Sequence, residues 1–91
     1  MAKGRLMVYV DNMYAPFGRM KMCHLEADSS EELREFAKRL GLRPEWIQHP
    51  GTWKEHFDVS MSLRARAVQM GAKEITMREL AEISMAKRCP P

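Results

Sequence analysis

The stretch HFDVSMSLRARAVQMGAKEIT, residues 56–76, decides how this chain folds. It reads as a short strand, a helix over 60–70 and a second short strand over 73–75. Leu63, Ala67 and Met70 supply the apolar stripe of the helix, and Gly71 closes it. A strand, a helix and a strand in so few residues imply a right-handed parallel crossover. His56 and Asp58 stand two apart on the first strand, so their side chains share one face. Ser60 follows as the helix N-cap, and Arg64 and Arg66 lie in the early turns. An imidazole, a carboxylate, free N–H groups and guanidinium charge thus meet in one place, which is more than a fold needs to hold itself together.

Working outward, RLMVYV at residues 5–10 is apolar on both faces and predicts a central strand that Asp11 ends. DNMYAPFG, residues 11–18, contains Asp, Asn, Pro and Gly and is expected to be a loop, with Met13, Tyr14 and Phe17 folded over the core. RMKMCHLEA, residues 19–27, predicts the next strand. Cys23, Leu25 and Ala27 share one of its faces, and Met20, Met22 and His24 the other. Asp28 is the expected N-cap of a helix with Glu31 completing a capping box. Leu33, Phe36, Ala37 and Leu40 form its buried stripe, and Gly41 follows its last turn. The segment 42–55 is irregular, with a helical turn starting at Pro44 and with Trp46 and Trp53 expected to dock on the core. Thr76 and Glu79 make a second capping box for a last helix, whose apolar side is Met77, Leu80 and Ile83. The end of the chain, 87–91, is expected to be an unstructured tail. The reading is therefore an α/β or α+β fold: one small domain over 1–91 with an ordered core of about 5–86. It has about four short strands in a mixed sheet with one parallel crossover, and three helices.

Composition narrows the function classes. A net charge of +3 and a pI near 9.1 are mildly basic, far from a polybasic tail. No apolar run reaches the ~20 residues that span a bilayer, and the N-terminus does not read as a signal peptide, so the expected location is cytoplasmic. Cys23, inside a strand, and Cys89, near the end, read as one buried thiol and one tail thiol. Met7, Met20, Met22, Met61 and Met70 fall at core-like positions, so packing accounts for them before soft-metal binding does. No P-loop, nucleophile elbow or dinucleotide fingerprint is present.

Three side-chain sets carry the chemistry. Asp11, His24, His56 and Asp58 supply two imidazoles and two carboxylates, a set that suits zinc, manganese or iron, although the spacing is not diagnostic. His56 held by Asp58, together with His24, also serves as an acid–base pair without metal. Arg19, Ser60 and Arg64 are the candidates for contacting an anion, at strand ends and at a helix N-terminus, where open α/β sheets bind ligands. The leading expectation is a site for a phosphate-bearing small molecule or a nucleic-acid end, with a divalent metal as the cofactor and hydrolysis as the reaction. The alternative is a non-catalytic basic adaptor that binds nucleic acid or protein through Tyr14, Phe17, Trp46 and Trp53.

An ordered string also stands out: YVD, a GR pair, C-H-L-x-A-D, E-E-L-x-x-F-A-x-x-L-G-L, the H-F-D triplet and R-A-x-x-x-G-A. Over roughly residues 6–82 it resembles a bacterial and phage family known as domain of unknown function 4031. The resemblance implies one compact domain and places the family pattern on Asp11, Gly18, Arg19, His24, Asp28, His56 and Asp58. In that family the triplet is usually H-Y-D and the residue before the central histidine is often serine; here these positions are Phe57 and Cys23. The family carries no activity with it. As an adaptor, the protein would be phage-borne on this resemblance.

Overall fold

A computed structural model describes residues 7–88 of the chain. It has five strands: β1 (Val8–Val10), β2 (Ala15–Phe17), β3 (Met20–Ala27), β4 (Phe57–Ser60) and β5 (Lys73–Glu74). Three α-helices accompany them, α1 (Ser30–Leu40), α2 (Met61–Gln69) and α3 (Met77–Arg88), with a 3-10 turn at Pro44–Trp46. The small mixed sheet with three helices and one parallel strand pair is as expected; the fifth strand is not. β2 lies inside the stretch expected to be a loop. Its three residues pair with the start of β3, Phe17 opposite Met20, through a two-residue turn in which Gly18 takes a φ of +62°. Pro16 is tolerated because the strand is at an edge, where a missing donor costs no ladder bond.

β3 is the axis of the sheet. Met22 pairs with both Ala15 and Ser60, and Leu25 with both Val10 and Phe57. A residue has only two strand neighbours, so β1 and β2 lie end to end on one side of β3, and β4 lies on the other. β1 then pairs in parallel with β5, which makes it the central strand its two apolar faces predict. β4 and β5 run in the same direction, so α2 does carry a crossover between parallel strands, but β3 and β1 lie between them. On the outer edge of β4, a single bridge pairs Gln48 with His56, by bonds of 2.8 and 3.2 Å. Ladder bonds alternate along an antiparallel strand, so the backbone N–H and C=O of Asp58 face that same outer edge beyond the bridge.

Alternation along β3 divides the molecule. Cys23, Leu25 and Ala27 face α1 and α2 and enclose a core with Val8, Val10, Leu33, Phe36, Leu40, Phe57, Val59 and Ala67. α3 covers the other face, where Leu80 packs on Tyr9 and Ile75. Glu26, buried on that face, accepts a 2.6 Å bond from the Ser84 hydroxyl and a 2.8 Å bond from the Lys87 ammonium, pinning α3 to the sheet. Lys87 also donates to the Ala27 carbonyl, so helical order runs past the expected end at residue 86. Cys89 and the start of the expected first strand, Arg5 and Leu6, lie outside the described residues.

The caps explain where the helices begin. Thr76 and Glu79 bond reciprocally, as their spacing predicts. Ser60 caps α2, accepting from the Leu63 N–H. For α1 the cap is Ser29, which accepts from the Glu32 N–H, one residue later than expected. Asp28 is occupied instead by the Tyr9 hydroxyl, which donates to it at 2.9 Å. α1 ends at Gly41, whose φ of +100° lets its N–H turn back to the helix carbonyls. Several apolar side chains expected inside are outside: Phe17 is 67% exposed, Trp46 52%, Met20 48%, Tyr14 41% and Met61 40%. Phe17 sits on a three-residue edge strand, Tyr14 in the irregular chain just before it, Met20 at the first residue of β3 opposite Phe17, Trp46 in the 3-10 turn and Met61 at the start of α2.

Candidate metal centre

His24 lies mid-strand on β3 and pairs across the sheet with Asp58 on β4, so both side chains project on the α3 side. His56, two residues before Asp58, projects there as well. Each of the three offers one ligating atom, and these atoms lie within 4.8 Å of one another. The rings of His24 and His56 meet edge to face with centroids 4.8 Å apart, and His56 Nε2 is 3.5 Å from Asp58 Oδ1. Bonds of about 2.0–2.2 Å to a metal need ligand atoms roughly 3.4 Å apart, so the three groups would draw together around an ion.

Both imidazoles are anchored through Nδ1. His56 Nδ1 is 2.7 Å from the Lys54 carbonyl, which only accepts, so Nδ1 carries a proton and Nε2 is the nitrogen that can offer a lone pair when the ring is neutral. His24 Nδ1 is 2.6 Å from Asp11 Oδ2, which likewise directs Nε2 outward. Asp11 is fully buried and does not join the three ligating groups; it stands behind one of them. Its Oδ1 accepts the N–H groups of His24 at 2.8 Å and Met13 at 3.2 Å. Burial pushes the Asp11 carboxyl up, but the bonds from the His24 ring and from these two N–H groups outweigh it, and the net shift is downward. The Asp11 hydrogen bond raises the His24 pKa, against the opposing effect of burial. A carboxylate that orients a ligating histidine is a common support of metal sites.

The anion candidates are placed elsewhere. Arg64 is buried, with Nε donating to the Asp11 carbonyl at 2.8 Å and a terminal nitrogen meeting Glu74 at 3.2 Å. Its charge is spent on tying α2 to the ends of β1 and β5. Ser60 caps α2, and Arg19 is exposed at the tip of the β2–β3 hairpin. The candidate site is therefore built on the sheet face around the middle of β3, and not at the strand ends that open α/β sheets generally use.

A cavity of about 370 Å³ opens beside the cluster. Among its lining residues are His24, His49, His56, Trp53 and Lys54, and on the α3 side Met77, Ala81 and Met85. All three histidines of the chain thus meet one cavity. His49 has a φ of +50°, uncommon for a residue with a Cβ, and its ring lies 5.9 Å from that of His56. Thr52 holds this turn through two bonds to the His49 carbonyl, and buried Glu55 accepts from Gly51, Ser30 and Arg34. His49, Trp53 and Lys54 carry no readable signal, because an irregular segment has no period from which a direction could be read. Glu26 had one, at the alternate position two residues from His24.

A family model described as a protein of unknown function, DUF4031, matches residues 8–87 of the 91. The chain belongs to that family. No curated protein and no solved structure matches it. The two departures from the family pattern leave the cluster untouched: Phe57 and Cys23 both point into the α1/α2 core, with exposures of 1% and 0%. A hydroxyl at either position would lie on the opposite face of the sheet from His24, His56 and Asp58. Among the described residues no helix is long and apolar enough to cross a membrane.

Proposed function

We propose that His24, His56 and Asp58 bind a divalent metal ion and that the metal recruits a phosphate-bearing ligand for hydrolysis. The observation that carries this reading is the anchoring of both imidazoles through Nδ1, by Asp11 on one side and by the Lys54 carbonyl on the other, which leaves Nε2 of each ring as the ligating atom. Two histidines and one carboxylate form a donor set for zinc, iron or manganese that leaves coordination positions open. A metal so held lowers the pKa of bound water and polarises a phosphoryl oxygen. The residues then have separate tasks. Asp11 keeps His24 aligned, Lys54 adds positive charge at the cavity, and His49 offers a third imidazole at its rim.

Cobalt(II) titration followed by its visible spectrum tests the reading. Stoichiometric binding by wild type, and loss of at least about a hundredfold in affinity in His24→Ala and His56→Ala, is the expected result. Equal affinity in wild type and both variants would sink it. The second reading, an adaptor, rests on the exposure of Tyr14, Phe17, Met20 and Trp46, three of which are aromatic. It predicts nucleic-acid binding that falls steeply with salt and is indifferent to His24→Ala.

A further inference from the structure

α3 carries an apolar stripe that the fold does not use. Its inward contacts are made by Leu80 and Ile83, and by Ser84 and Lys87 on Glu26. Met77, Ala81 and Met85 recur at every fourth position on a different line of the helix, and Met77 and Met85 are each 47% exposed. This stripe is one wall of the cavity whose opposite wall is His24 and His56. An exposed apolar row would ordinarily be free to vary; here it faces a cluster of metal-ligating groups across a space large enough for a small organic molecule. Methionines on such a wall adapt to apolar shapes of different outline.

The charges at the mouth add a second constraint. The Lys54 ammonium and the Arg88 guanidinium both lie over the Trp53 ring, 5.1 and 5.5 Å from its centroid. Trp53 and Lys54 line the cavity themselves. The indole thus gathers two cations next to the cluster, and it is not left bare for a base to stack on. With a dication held by the three ligands, the metal, Lys54 and Arg88 outweigh Asp11 and Asp58 by two charges, Glu26 being offset by Lys87. A dianion balances that excess; a monocarboxylate does not.

We propose that the cavity between α3 and the two histidines of the cluster, His24 and His56, receives a small phosphomonoester with an apolar body. Its phosphate lies toward the cluster and its body along Met77, Ala81 and Met85. This rests on the metal reading above and adds the class of ligand. Inorganic phosphate would satisfy the polar wall alone and leave the stripe wet, so the organic body should raise affinity.

The test uses cobalt-loaded protein and three probes by calorimetry: inorganic phosphate, phenyl phosphate and phenol. Phenyl phosphate is expected to bind at least about tenfold more tightly than inorganic phosphate, and phenol not measurably. Met85→Glu and Ala81→Glu, both at exposed positions, should reduce that preference to about twofold or less while the cobalt spectrum stays unchanged. Equal binding of the two phosphates by wild type, or a preference that survives both substitutions, overturns the ligand class. Absence of a cobalt spectrum before any phosphate is added would instead overturn the metal reading, and the ligand class with it.

Discussion

The two faces of β3 obey different rules although they alternate residue by residue. Cys23, Leu25 and Ala27 are at most 1% exposed, and their side chains belong to the apolar cluster that α1 and α2 cover. Met22, His24 and Glu26, between them, face a polar and partly open layer, where each buried charge has a named partner. The first face holds the chain together through area removed from water. The second spends stability to keep imidazoles and carboxylates in place, since buried ionic groups cost more in desolvation than apolar ones do. One strand thus performs two jobs because its side-chain period is two.

This contrast is open to attack at several points, ordered by expected loss of stability. Leu25→Ala removes a fully buried side chain from the dry face and should cost about 3 kcal/mol, a large share of what so small a domain possesses. Denaturant melting would show it, and any variant protein still folded should bind cobalt normally. Asp11→Ala should cost about 2–3 kcal/mol, because it orphans the His24 and Met13 N–H groups and the His24 ring together. Unlike the first variant, it should also weaken cobalt binding. His56→Ala should cost only about 1 kcal/mol, the bond to the Lys54 carbonyl, yet abolish metal binding. If it unfolded the protein instead, the division between the faces would be wrong.

His49→Gly should have the opposite sign. It relieves a positive φ, worth up to about 1 kcal/mol, against some loss to the freer unfolded chain. Melting temperature should hold or rise while affinity for phenyl phosphate falls. The smallest effect at ordinary pH belongs to Tyr9, whose pKa is pushed up to about 12 by burial and then by its bond to Asp28. The neutral hydroxyl is favoured in the folded state. Its contribution is complete below the ordinary tyrosine value of 10.0 and is lost as pH rises through about 12. Tyr9→Phe should flatten that alkaline loss in a pH series of unfolding curves.

Features that depend on neighbours in sequence were legible. The Thr76–Glu79 box, the Ser60 cap, the αL end at Gly41 and the shared face of His56 and Asp58 all follow from spacing alone. What depends on a distant partner was not. Asp28 reads as a cap until the Tyr9 hydroxyl takes it, and Ser29 then serves. Arg64 reads as a free cation until the Asp11 carbonyl, 53 residues away, accepts from it. Asp11 has the right chemistry for a ligand, but a buried carboxylate already accepting from two N–H groups and a ring is better placed to aim His24 than to meet a metal. β2 escaped because Pro16 argues against a strand everywhere except at an edge, and an edge cannot be recognised before the sheet is assembled.

The outward-facing backbone of Asp58 gives the site its own clock. Phe57 and Val59 turn their amides inward to β3, whereas the Asp58 amide lies on the open side of β4 beyond the Gln48 bridge. In deuterated water the three consecutive amides should therefore exchange unequally, the middle one fastest. A metal that fastens the Asp58 carboxylate to two imidazoles would stiffen that residue and slow its exchange far more than it slows the flanking two. A single amide, reporting on a time axis that no spectrum of the metal supplies, would then distinguish an ion lodged in the cluster from one bound anywhere else on the surface.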